Sequence, residues 1–136
     1  MIVHLDTNVA SCLIRKRNPS YREAFSKALQ GGDLIFMSII VYYELIFGSE
    51  NGDQTIEQTE RVENLASSIS GVIDFQKTDA IEAAKLRAYL ASTRQNIGTY
   101  DVLIAAQALR HGASIATGNL GEFQRVPNLN IITWPR

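Results

Sequence analysis

Five oxygen-bearing side chains stand out by type and place: Asp6, Glu44, Asp101, Asn119 and Glu122, with the Thr7 hydroxyl beside the first. Asp6 follows the apolar run IVHL, so a segment that reads as a buried strand ends on a carboxylate that water would rather solvate. Glu44 is the one carboxylate in IIVYYELIF, Ile39 to Phe47, and Asp101 stands at the head of VLIAAQAL, a small apolar run suited to burial. Asn119 and Glu122 sit in TGNLGEF, residues 117–123. Each residue has an ordinary role open to it. Asp6 or Thr7 suits a helix cap, Glu44 an ion pair or a solvent opening, Asp101 the positive end of a helix dipole, and Asn119 and Glu122 a glycine-bracketed turn. Taken together they offer oxygen donors, and the only thiol or imidazole ligands are Cys12, His4 and His111. Oxygen donors without cysteine or histidine select a hard ion, Mg²⁺ or Mn²⁺, and gathered carboxylates need such an ion to offset their repulsion.

Something must bring these positions together, and the hydrophobic pattern supplies it. Short apolar stretches at Ile2 to Leu5, Leu34 to Met37, Val72 to Phe75, Ser114 to Ala116 and Asn130 to Thr133 predict strands. Between them, Asn8 to Lys16, Ser20 to Gln30, Ile39 to Gly48, Thr55 to Ser68, Asp79 to Gln95 and Tyr100 to His111 have helical length, several with helical apolar spacing. Gly31-Gly32 and Gly112 fit helix ends, Gly71 precedes the third strand, and Ser38, Thr78 and Thr99 fit N-caps. Alternating strands and helices predict an α/β/α sandwich on a mostly parallel sheet of four to five strands. In such a sheet the strand C-termini share one edge, where open α/β folds bind ligands, and Asp6 and the 117–123 segment fall there.

Bulk composition narrows the class without choosing a partner. The 136 residues, 46% hydrophobic, suit one domain, 1–136, able to bury about 70% of its unfolded surface. A net charge of −1 supplies no global positive field for nucleic acid, so polyanion binding would need local clusters or a bound cation. One cysteine excludes an internal disulfide and fits a reducing compartment, and a zinc site lacks ligands. With no secretory leader pattern and no apolar run of spanning length, the expectation is a soluble cytoplasmic protein without membrane contact.

Four segments carry a family resemblance: LDTN at 5–8, VYYELIFG around Glu44, IGTYDVLIAAQAL at 97–109 and ATGNLGEFQRVPNLNIITW at 116–134. Together they resemble the PIN-domain ribonucleases, specifically the VapC-type toxins of bacterial toxin–antitoxin pairs, over nearly the whole chain. The resemblance implies a metal-dependent endoribonuclease cutting structured RNA such as tRNA, neutralised by a VapB-type antitoxin and commonly homodimeric. It places the three family acids on Asp6, Glu44 and Asp101, the following hydroxyl on Thr7, and an acidic neighbour on Glu122. Asn119 stands where many PIN domains carry a fourth aspartate and where VapC-type members often carry asparagine. The implied mechanism has Asp6 and Asp101 holding Mg²⁺ directly or through water, with Glu44 on a coordinated water and Asn119 and Thr7 orienting waters farther out.

Arg15, Lys16 and Arg17 form the one dense basic run, suited to a helix C-terminus or to RNA phosphate. Tyr42, Tyr43, Phe47 and Tyr100 read as core or dimer interface in preference to base-stacking platforms. Two rival functions stay open. An aspartyl-phosphate phosphatase would want a second aspartate where Asn8 stands, and a non-catalytic interaction domain would use the acids as caps and ion pairs.

Overall fold

The computed structural model describes residues 1–52 and 55–134. Strand β1 (Ile2–Leu5) leads into helices α1 (Thr7–Arg15) and α2 (Pro19–Gln30), then β2 (Leu34–Ser38) into α3 (Ile39–Glu50) and α4 (Thr55–Ser68). Strand β3 (Gly71–Ile73) is followed by α5 (Lys77–Ser92) and α6 (Thr99–Arg110), and β4 (Ser114–Thr117) by the short α7 (Leu120–Phe123) and β5 (Ile131–Thr133). All four strand pairings are parallel and the order is β3-β2-β1-β4-β5. The expected α/β class with a parallel sheet flanked by helices is what forms, with five strands.

Strand order fixes where a ligand crevice opens. The chain moves outward from β1 through β2 to β3, then returns to the other side of β1 for β4 and β5, so the direction reverses between β1 and β4. At such a switch point the flanking connections diverge and leave a crevice at the strand C-termini. Leu5 lies beside Ala116, and the Asp6 N–H continues the ladder by donating to the Ala116 carbonyl at 3.1 Å. Asp6 and Thr117 are therefore neighbours across the mouth of that crevice.

Both faces of the sheet are packed, which is why its strands are nearly continuous in apolar residues. Leu5, Ile35, Met37 and Ile115 from the strands meet Val9, Val41, Leu90 and Ile104 from the helices in a closed core. Ser38 caps α3, its hydroxyl accepting from the Ile40 N–H at 3.1 Å. Gly112 ends α6 with φ +63°, a conformation a side chain would strain. No helix among the described residues is long and apolar enough to cross a membrane.

Several local expectations change. Helix α5 begins at Lys77 with Gln76 as its cap residue instead of Thr78, because the Gln76 N–H is taken by Asp79 Oδ2 at 2.8 Å. Helix α6 is preceded by Gly98 as its cap residue, so Thr99 is its first helical residue. Strand β3 ends at Ile73 instead of Phe75, and β5 begins at Ile131 instead of Asn130. Tyr43, Phe47 and Tyr100 are 53%, 60% and 43% exposed, so they do not join the core of this chain. Along α3, Val41, Leu45 and Ser49 are buried, Ile40, Tyr42 and Ile46 pack partly buried against the core, and Tyr43 and Phe47 form its exposed stripe.

Candidate active site

Four carboxylates are drawn toward the C-terminal edge of the sheet by four separate elements. Asp6 caps α1: one oxygen accepts from the Val9 N–H at 2.7 Å and the other from the Thr117 hydroxyl at the end of β4. The structural reading of Asp6 as a cap is thus correct, yet the side chain is only 2% exposed and has no cation beside it among the described residues. Burial pushes its carboxyl above the usual carboxylate range, the Thr117 hydroxyl and Val9 N–H oppose that rise, and the Glu44 charge adds to it.

Glu44, in the second turn of α3, accepts from the Thr7 hydroxyl at 2.6 Å. Thr7 thus ties α1 to α3 beside Asp6. The arginine ion pair open to Glu44 from its sequence is not formed among the described residues. Asp101 lies in the first turn of α6 and Glu122 in α7, and their carboxyls approach each other beside Gly98. Burial is the largest cause of a rise that takes Asp101 to about 7, followed by Glu122 and then by the charges of Asp6 and Glu44. That coupling places all four acids in one electrostatic group.

Asn119 faces the same group, but as a donor. Its backbone N–H donates to the Thr117 hydroxyl at 2.8 Å, and its side-chain amide to Glu122 at 3.3 Å. Chained hydrogen bonds therefore run from Asn119 to Thr117 to Asp6. Two contributors were not singled out from sequence. Thr117 had no distinguishing type, and its role follows only from the β1–β4 pairing. A Cβ on Gly98 would stand 3.2 Å from Asp101 Oδ2 and 3.8 Å from Glu122 Oε2, so the glycine leaves the space in which those two carboxyls meet.

No three acidic, histidine or cysteine side chains among the described residues stand close enough to enclose an ion directly. The donor set nevertheless fits a hard divalent cation held partly through water. It consists of carboxylates, hydroxyls and an amide, its acids raise one another's proton affinity, and no basic side chain pairs with them among the described residues. His4 and His111 belong elsewhere, with ring centroids 5.6 Å apart.

Comparison with known proteins agrees with this geometry. Residues 3–129 match the PIN domain family. The chain is 33% identical to ribonuclease VapC1 of Haemophilus influenzae over 136 residues, spanning 100% of both. It is 32% identical to the tRNA(fMet)-specific endonuclease VapC of Shigella flexneri over 130 residues, 96% of each. Its fold matches VapBC2 of Rickettsia felis, solved bound to a DNA fragment from their promoter, with TM-score 0.92 and 30% identity, covering 99% of this chain and 100% of that one. Taken with the acids gathered at the switch point, these likenesses show that the chain belongs to the PIN-domain family, among its VapC ribonucleases.

Proposed function

We propose that this chain is the toxin of a VapBC-type pair, a metal-dependent endoribonuclease acting as one domain on structured RNA, with tRNA the favoured substrate class. The observation that carries the reading is the convergence of Asp6, Glu44, Asp101 and Glu122 with no basic partner among the described residues. A structural ion-pair cluster would include its own cations, whereas this group leaves negative charge to be offset by something that binds.

Asp6 and Asp101 would hold a Mg²⁺ or Mn²⁺ ion, with Glu44 reaching it through water. Once bound, such an ion supplies a more acidic water and neutralises charge on the nonbridging phosphate oxygens. The chain's own residues do the positioning. Val9 and Thr117 fix both oxygens of Asp6, and Thr7 fixes Glu44, so these carboxylates need little reordering as substrate arrives. Asn119 steadies Thr117 through its backbone and Glu122 through its amide. Burial and the neighbouring Glu122 raise Asp101 to about 7, so its proton must leave before it carries full charge toward a cation. Attack by water leaves 5′-phosphate and 3′-hydroxyl ends.

A VapB-type antitoxin would cover the acidic pocket with an apolar helix and a basic side chain. A second copy of this chain would cover Tyr43 and Phe47, which stand exposed on α3. The test is cleavage of RNA by the purified chain with and without Mg²⁺ or Mn²⁺. Cleavage that depends on the ion and disappears in folded Asp6→Asn and Asp101→Asn supports the reading. Equal cleavage by all three proteins refutes it.

A further inference from the structure

The carboxylates lie at one end of a narrow polar crevice whose other end holds a guanidinium. Thr7, Ser11 and Arg15 follow one another at four-residue intervals along a single face of α1. Glu44 and Gly48 face them from α3 and Gln58 from α4, around a crevice of about 60 Å³. The Thr7 to Glu44 hydrogen bond closes one end, and Arg15 stands at the other. Gly48 borders the space between, where a Cβ would meet Arg15 Nη2 in ordinary contact at 3.9 Å. Arg15 makes no ion pair among the described residues, although this crevice contains a glutamate.

We propose that Arg15 is a positioning residue that grips a phosphate of the RNA strand neighbouring the one at the carboxylates. This rests on the nuclease reading above and extends it to how the strand lies: along the face of α1, from Asp6 toward the helix C-terminus. From Asp6 to Arg15 the helix rises about 13 Å at about 1.5 Å per residue, and a side chain leaning back along the crevice shortens that to about one phosphate-to-phosphate step. Its contribution therefore falls on binding and register, not on the chemical step. A guanidinium fits this task because its planar fork matches two phosphate oxygens at once. The chain's net charge of −1 means that such strand contacts must be local.

The test measures Arg15→Gln and Arg15→Lys against the native chain. Binding is followed with a mixed-sequence single-stranded oligoribonucleotide in EDTA, and cleavage with Mn²⁺ added. The proposal expects Arg15→Gln to bind about fivefold more weakly, with a salt slope smaller by about 0.7, one single-strand phosphate contact. It expects KM to rise with kcat little changed, and Arg15→Lys to recover part of the affinity but less than native. An unchanged affinity and salt slope in Arg15→Gln, with a native chain that still binds and cuts, overturns the proposal and leaves the nuclease reading standing. So does a variant that binds RNA normally but loses its grip on a protein partner. A native chain that neither binds nor cuts this oligonucleotide or bulk tRNA removes the underlying reading instead. Because Arg15 is exposed, matched thermal melting of the three proteins separates binding loss from unfolding.

Discussion

Helix α6 carries an acid of the candidate site at one end and the cation of a structural ion pair at the other, and the two ends treat buried charge in opposite ways. Near its last turn, Asp79 of α5 is 0% exposed yet fully provided for: Arg110 pairs with it, the Gln107 amide donates at 3.3 Å, and the Gln76 N–H donates at 2.8 Å. Burial pushes the Asp79 carboxyl up, but these donors outweigh it and hold the group below the usual carboxylate range. At the first turn, burial and then the carboxyls that Asp101 meets drive it to about 7. Nothing intrinsic to aspartate separates the two. A buried acid whose partners are supplied by the fold is architecture, and one whose neighbours are other acids has its complement still to come.

Removing the cation at the architectural end should produce the largest loss. Arg110→Ala strands a buried carboxylate, and with the guanidinium 29% exposed the expected cost is about 3 kcal/mol, the low end for breaking a buried pair. Urea denaturation reads it, while cleavage per folded molecule stays native. The opposite end should reverse both outcomes. Asp101→Asn is expected to lose at least about 100-fold in cleavage, about 2.7 kcal/mol of barrier, while the metal-free protein melts higher because a like charge is gone. A melting temperature that falls instead would mean that Asp101 is structural.

Titration sharpens the contrast further. The unfolded chain releases the Asp101 proton near pH 3.8 and the folded chain near pH 7, so across that interval the folded state holds more protons. Asp101 therefore makes metal-free stability fall as pH rises from about 4 to about 7. Asp79, with its folded value lowered, contributes stability above the unfolded value and loses it as pH falls through the folded one. Denaturation across that range should show the downward slope in the native chain and a flatter profile in Asp101→Asn. The smallest effect belongs to Glu122→Gln. It removes one negative neighbour of Asp101 and should move the cleavage profile acidward by about one unit or less, with under about tenfold change in rate at its optimum. A pH-rate series checks it.

Much of this was legible before the fold was known. Asp6 at a strand end, Glu44 alone in an apolar helix and Asp101 in a first turn were each flagged because a carboxylate there is costly. Glu44 stood out on the premise that its helix is covered on every side, whereas Tyr43 and Phe47 of the same helix are exposed. Apolar residues alone do not say how many sides of a helix are covered. Thr78 and Thr99 had the right type for caps, but Asp79 and Gly98 determined where those helices start.

Periodicity and residue type by themselves determined the alternation of strands and helices, the parallel sheet and the short list of acids, because those signals are local to each segment. Tertiary structure alone decided that Thr117 would donate to Asp6, that Glu122 would come up against Asp101, and that Asp79 would find Arg110. The reason is that a side chain's spacing states which face it occupies, whereas its partner depends on strand order and crossover, and residues 111 positions apart meet only once the sheet has formed.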